Sequence, residues 1–156
     1  MTEVRSCSWV ELRSAREADL PAVLALLQRA ELPSAGVAEA FSRFVVAEHE
    51  GKLVGAAGLE VYGASALLRS VVVEHSWKAS GVGRRLIEHA LDEARQRRIE
   101  DVFLLTTTAE HYFPRFGFTC VSRDAVSEEV RASVEFQGAC PSSAVIMRKR
   151  LCLEDA

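Results

Sequence analysis

Along this chain the spacing of apolar residues switches between a strand-like and a helix-like repeat, and each switch marks an element boundary. Trp9 to Arg13 alternates apolar with polar residues, which predicts a first strand. Leu20, Val23, Leu24 and Leu27 then stand at helical spacing with Pro21 early in the segment, predicting a helix from about Glu17 to Ala30. The break ELPSAG ends it; Val37 to Ser42 reads as a short second helix and Phe44 to Glu48 as a strand. Beyond the tight turn Glu50-Gly51-Lys52 comes the strand Leu53 to Tyr62, and beyond Gly63-Ala64-Ser65 the strand Ala66 to Glu74. These predict three antiparallel neighbours in a meander.

From Ser70 to Ala94 the chain reads SVVVEHSWKASGVGRRLIEHALDEA. Three consecutive valines suit a buried strand, while Leu86, Ile87, Ala90, Leu91 and Ala94 form the apolar stripe of an amphipathic helix. Lys78 to Gly83 is therefore a strand-to-helix loop. Its small residues leave backbone N–H groups unobstructed where a helix start has unpaired donors and the positive end of its dipole. Chains bind phosphate in this way. On spacing alone, a tight turn that needs small residues explains the loop equally well. The fuller G-x-G-x-x-G pattern is absent, since Arg84, Arg85 and Leu86 follow Gly83, and no Walker lysine-serine pair occurs.

After this helix, Arg97-Arg98 supplies the cations a helix C-terminus favours, and Val102 to Leu105 reads as a short buried strand. Ala109 to Phe116 is expected to be a brief helix stopped by Gly117, and Phe118 to Ser122 another strand. Arg123 to Ser143 is polar and without clear period, and Ala144 to Leu151 closes the chain as a strand. The order predicts a single α/β domain over residues 1–156, with its core from about 9 to 151. Its sheet is mixed and mostly antiparallel, with helices on both faces.

Composition narrows the function. With 156 residues, 49% of them hydrophobic, the chain can bury one sizeable core. A net charge of -3 and a pI near 5.8 argue against non-specific nucleic-acid binding, leaving Arg84-Arg85 as a local cluster for one anionic ligand. No apolar run approaches the ~20 residues of a membrane span, and MTEVRSCSWVELR lacks the apolar core of a signal peptide. A cytoplasmic protein without a membrane partner is expected. Cys7, Cys120, Cys140 and Cys152 form no C-x-x-C pair, so no metal site is expected and the thiols read as structural. Cys140, between Ala139 and Pro141, would need an activating base to act as a nucleophile, and none is assignable.

The loop KASGVG, Lys78 to Gly83, and the later YFPRFGF, Tyr112 to Phe118, resemble the motifs of the GNAT superfamily of acyl-CoA-dependent N-acetyltransferases. That family's fingerprint is Arg or Gln, two residues, Gly, one residue, then Gly or Ala, after its fourth strand. Lys78 departs from the commoner first residue but keeps a positive charge. GLEVYGASALLRS, LLTTTAEHYFPRFGF and ACPSSAVIM are similar to a bacterial subgroup associated with arsenic-resistance gene clusters, and also to the domain that acetylates glutamate in arginine biosynthesis. The likeness spans roughly Leu12 to Leu151. It implies a GNAT fold with splayed parallel strands, and acetyl-CoA held by Lys78, Ala79, Ser80, Gly81, Val82, Gly83 and Arg84. It also implies that the backbone of Val71, Val72 and Val73 binds pantetheine and the acetyl carbonyl. The same valines also read as ordinary core residues.

Acetyl transfer to an amine needs an uncharged amine, aligned reactants, a donor for the developing oxyanion, and protonation of the thiolate. A lysine-like amine near 10.4 costs about 4.6 kcal/mol to deprotonate at pH 7, a chain α-amine near 7.8 about 1 kcal/mol. An acceptor amine of that lower basicity tolerates a weak base, and an amino acid is the acceptor expected. Glu60, in an otherwise apolar strand with Tyr62 on the same face, is the first candidate, and a sheet-edge carboxylate reaching solvent is the other reading. Glu74 is the second candidate. GNAT enzymes often carry an acid tyrosine four residues before the glycine of the GF pair; Phe113 stands there, with Tyr112 beside it. Tyr112 is thus either an acid or packing.

Arg69, Ser70 and Glu135 are the candidate substrate-binding residues; Arg69, in an apolar strand, either grips a substrate carboxylate or pairs internally with Glu60 or Glu135. By analogy with the family, Glu135 and the turn Cys140 to Ser143 belong to a lid over the acceptor. The expected function is transfer of acetyl from acetyl-CoA to a small-molecule amine: an amino acid or a toxic analogue, with an arsenical one as the leading idea. The rivals are a protein or peptide N-acetyltransferase and a non-catalytic acyl-CoA sensor. A homodimer is the one assembly considered.

Overall fold

The computed structural model of the chain describes residues 10–107, 109–133, 136 and 144–151. Trp9, the start of the expected first strand, lies outside the described residues, as do Cys7 and Cys152. Seven strands form one sheet in the order β1-β2-β3-β4-β5-β7-β6. They are β1 (Glu11–Ser14), β2 (Phe44–His49), β3 (Lys52–Tyr62), β4 (Ser65–Val73), β5 (Asp101–Thr106), β6 (Thr119–Cys120) and β7 (Val145–Arg150). The helices are α1 (Leu20–Arg29), α2 (Val37–Ala40), α3 (Val82–Gln96) and α4 (Glu128–Arg131). The expected mixed sheet is present: β1, β2 and β3 pair antiparallel, β4 and β5 parallel, and β7 antiparallel to both β5 and β6.

Packing divides the chain into two compact units, Met1–Leu59 with Ser70–Ala90, and Glu60–Arg69 with Leu91–Ala156. In the first, strand alternation sorts side chains into two apolar clusters. Phe44, Val46, Ala56 and Val72 pack with Val23, Leu26 and Leu27 of α1, and with Val37 and Phe41. Val45, Ala47, Val54 and Ala57 pack instead with Trp77, Val82 and Leu86. Val54 and Ala56 would share a face in an unbroken strand, yet they join different clusters. The cause is a bulge: the register moves from Ala47↔Gly55 to Glu48↔Leu53, so Val54 is an extra residue. Gly58 is required by close approach, because a Cβ there would lie 2.3 Å from the Phe44 ring. An ionic knot ties the same unit together: Arg13 on β1 donates to Asp19 at 2.7 and 3.0 Å and to Glu48 on β2 at 2.8 Å.

In the second unit, Leu67, Phe103, Val126, Val130 and Phe136 form the core, with Tyr62, Leu105 and Ile146 against it. The stretch without sequence period contains α4, a four-residue helix capped by the Ser127 hydroxyl, which accepts from the Val130 amide. A helix so short shows no periodicity to read. Two expectations are corrected here. The strand expected over Phe118 to Ser122 is only Thr119–Cys120, which is as far as its pairing with β7 extends. The brief helix expected over Ala109 to Phe116 is a turn followed by a 3-10 segment, Phe113–Phe116; Pro114 lacks the amide a longer helix would use.

Candidate active site

The loop after β4 has the geometry its composition implies. Ala79 and Gly81 have φ of 64° and 95°, the left-handed region that glycine enters freely and alanine only under strain. These turns deliver the chain into α3, whose opening amides find few acceptors. Val82 donates to the Ser80 hydroxyl at 3.4 Å and Arg85 to the Gly81 carbonyl at 3.1 Å. Among the described residues the Gly83 and Arg84 amides have no protein acceptor. The Ser80 hydroxyl itself donates to the Trp77 carbonyl, which fixes the loop. Lys78 and Arg84 are exposed, Arg84 paired with Glu88 one turn on at 3.0 Å. This is a helix N-terminus with two open donors and two exposed cations beside it, suited to a polyanion.

Just before the loop, Val72 is buried among the α1 cluster, while Val71 and Val73 pack on the other cluster with Trp77 and Leu86. The valine side chains therefore serve the core, which leaves only their backbone for a ligand. Two features interrupt β4 upstream of them. Its parallel pairing with β5 covers only Ser65–Leu67 against Asp101–Phe103, although both strands run on. In mid-strand, buried Ser70 has φ 58°, a left-handed value that bends the strand.

A second group of side chains sits at Glu60–Arg69. Glu60 is 8% exposed and Arg69 2%, and the Arg69 Nη1 donates to Glu60 Oε2 at 2.9 Å. The Tyr62 hydroxyl donates to the other oxygen, Glu60 Oε1. A buried carboxylate thus has a donor on each oxygen, one a cation and one a half-buried phenol. The Arg69–Glu60 pair is one of the two internal pairings the sequence left open; Glu135, the other, lies outside the described residues, as do Cys140 and the turn to Ser143. Sequence alternation placed Tyr62 on the Glu60 face but gave no sign that its hydroxyl engages the carboxylate.

Glu74 is half-buried, and the hydrogen bond from the Ser76 hydroxyl holds its carboxyl below the usual carboxylate range, which weakens it as a base. Tyr112 belongs to an aromatic cluster, edge-on to Phe113 and Phe116 at 5.6 and 5.3 Å, with the Arg115 guanidinium over its ring at 5.4 Å. Among the described residues no group of three His, Cys, Asp or Glu side chains is placed to hold a metal ion. No helix of the described residues is long and apolar enough to cross a membrane.

The acetyltransferase (GNAT) domain family matches residues 40–120, just over half of the chain and the whole of β2 through β6. The chain belongs to the GNAT acetyltransferase family. Among GNAT relatives, the amino-acid acetyltransferase of Mycobacterium tuberculosis is 34% identical over 141 residues, covering 83% of this chain and 80% of that protein. The amino-acid acetyltransferases of two Neisseria meningitidis strains are 27% identical over 146 residues; this chain spans only 34% of their length. Among solved structures, N-acetylglutamate synthase from Neisseria gonorrhoeae, complexed with coenzyme A and L-arginine, superposes with a TM-score of 0.79 at 27% identity. That match covers 92% of this chain and 33% of the synthase. A Mycobacterium tuberculosis protein crystallised with CoA superposes with a TM-score of 0.78, also at 27% identity, over 91% of this chain and 99% of its own.

Proposed function

We propose that this chain is a cytoplasmic N-acetyltransferase that moves acetyl from acetyl-CoA to the amine of a free amino acid or a close analogue. The observation that carries this is the pair of open amides, Gly83 and Arg84, at the start of the fifteen-residue α3. Residues 78–84 fit a pyrophosphate: a dipole end, open donors and the cations of Lys78 and Arg84. Bound there, acetyl-CoA supplies the activated acetyl thioester. The backbone of Val71, Val72 and Val73 then aligns the acetyl carbonyl and donates to its developing oxyanion. The amino-acid acceptor is supported by relatives named amino-acid acetyltransferase; the arsenical acceptor rests on the sequence resemblance alone.

Glu60 serves as the base in this reading. Arg69 and Tyr62 both donate to it, one on each oxygen, which fixes the orientation of the carboxylate. Arg69, its side chain fully out of solvent and spent on Glu60, acts as a positioning residue for that carboxylate rather than as a grip on the substrate. Tyr112, packed among phenylalanines, is given no acid role; the thiol, with an ordinary pKa near 8.5, leaves as thiolate.

The test combines binding and turnover. Acetyl-CoA at about a hundred times its dissociation constant stabilises the folded state by about 2.7 kcal/mol, a melting shift of roughly 5 to 10 °C. A panel of free amino acids, their methyl esters, arsenical amino acids and short peptides, read by released CoA thiol, is expected to favour the free acids. No melting shift at saturating acetyl-CoA would remove the cofactor and the enzyme with it. Thiol release on peptides alone would make it a protein acetyltransferase.

A further inference from the structure

Glu60 is the base in the reading above, yet its surroundings give it no open face. One oxygen receives Arg69 Nη1 at 2.9 Å, and the other receives the Tyr62 hydroxyl. The carboxylate is 8% exposed, whereas Tyr62, packed at the margin of the Phe103, Val126 and Val130 cluster, is half-buried. Of the three residues in this chain of hydrogen bonds, Tyr62 is the most exposed. We infer that Tyr62 is a catalytic residue: its hydroxyl takes the proton from the acceptor ammonium and hands its own to Glu60. The inference rests on the acetyltransferase reading and assigns to Tyr62 the contact with substrate that a base would otherwise make directly.

The transfer balances. The acceptor N–H bond breaks and a new O–H bond forms at Tyr62 Oη, while the original phenolic O–H breaks and its proton forms an O–H bond on Glu60 Oε1. The electron pair left on nitrogen becomes the nucleophile for the acetyl carbon. The proton passes on in one motion, so no free phenolate has to exist near pH 7, where a phenol of pKa about 10 would not yield one. Arg69 remains bound to Oε2 throughout, which keeps Oε1 turned to the phenol. Tyr62 is close to Glu60 because two residues of one strand face the same way, and β3 is the strand on which both stand. Such a relay also explains why a carboxylate this enclosed remains useful: protons reach it without the substrate having to enter beside Arg69.

The test is Tyr62→Phe, assayed over pH on the best acceptor of the panel with acetyl-CoA. A relay matters only while the acceptor arrives protonated. The variant should therefore lose about tenfold or more in kcat/KM at pH 7, and the deficit should close at pH values above the pKa of the acceptor amine. The acetyl-CoA melting shift should stay as in the parent. Glu60→Gln should show the same pH-dependent deficit, and the double variant should be no worse than either single one, because the two groups act as a unit. A profile parallel to the parent, whether unchanged or lowered equally at every pH, would overturn the relay and leave Tyr62 a structural partner. Should Tyr62→Phe fold poorly, a fluorinated tyrosine at this position keeps ring and hydroxyl and makes the phenol more acidic. The relay then requires a changed rate below the amine pKa and none above it, and an unchanged rate throughout overturns it. A parent chain inactive on the whole panel, with no acetyl-CoA melting shift, would overturn the acetyltransferase reading and the relay with it. A parent that turns over normally beside a Tyr62→Phe profile of parallel shape overturns the relay alone.

Discussion

At the scale of single residues, the decisive feature is a buried cation and a buried carboxylate that answer each other. Arg69 and Glu60 side chains are 0% and 9% exposed, and each would be costly in place without the other. Replacing Arg69 with Met should therefore destabilise the protein by roughly 3 to 5 kcal/mol, far more than the 0 to 1 kcal/mol of an exposed pair. Adding Glu60→Gln to that variant should recover part of the loss, since the orphaned charge disappears. Urea unfolding of the parent and the two variants decides the matter, and a loss under 1 kcal/mol for Arg69→Met would mean the pair is not as enclosed as its geometry indicates. The sequence made Arg69 conspicuous, an arginine between Leu68 and Ser70, but left its partner open among Glu60, Glu135 and a substrate carboxylate. Glu60 and Arg69 stand nine positions apart, and only the turn between β3 and β4 brings them to 2.9 Å.

At the scale of elements, the junction of β4 and α3 carries the cofactor proposal. Gly81 occupies φ 95°, where a side chain costs about 1 to 2 kcal/mol and a β-branched one more. Gly81→Val should lower the melting temperature modestly and abolish the shift given by acetyl-CoA, because the side chain stands where the phosphates approach the open amides. Gly58→Ala is the matched control. Its Cβ would meet the Phe44 ring at 2.3 Å, so it should cost stability through overpacking, roughly 1 to 3 kcal/mol, while the acetyl-CoA shift survives. Calorimetry with and without acetyl-CoA distinguishes the two, and equal loss of the shift in both variants would sever the loop from binding. The long elements were legible because α1 and α3 repeat apolar residues at helical spacing and β2, β3 and β4 are mostly apolar runs bounded by turn residues. The strand Thr119–Cys120 and the helix Glu128–Arg131 were not, since two or four residues cannot display a period.

At the scale of the whole molecule, acid stability follows from one ionic knot. Hydrogen bonds from Arg13 hold the Asp19 carboxyl down to about 2, below its ordinary 3.8, against a smaller opposing effect of burial. A carboxylate with a depressed folded-state pKa stabilises the protein above its ordinary pKa, and that contribution is lost as pH falls from about 4 towards 2. Asp19→Asn should therefore cost on the order of 1 to 2 kcal/mol near pH 7, allowing for partial exposure of the pair, and the parent and variant curves should converge across that window. Urea midpoints measured from pH 2 to pH 7 give the comparison; curves that stay parallel through the window would show that Asp19 makes no pH-linked contribution to stability.

By itself the sequence determined the α/β class, the order of the long elements, the position of the glycine loop at a helix start, and the family those motifs resemble. All of these depend on local spacing, and apolar periodicity and turn chemistry are properties of neighbouring residues. Only the tertiary structure decided which partner Arg69 takes, that the Tyr62 hydroxyl engages Glu60, that Ser76 weakens Glu74 as a base, and that Tyr112 packs among phenylalanines. It also decided the bulge at Val54 and the left-handed turn of Ser70, neither of which a strand of β-branched and small residues announces. The physical reason is common to all of them. A hydrogen bond or a ring contact is specified by positions in space to within an ångström, and a sequence specifies only which groups are available to make it.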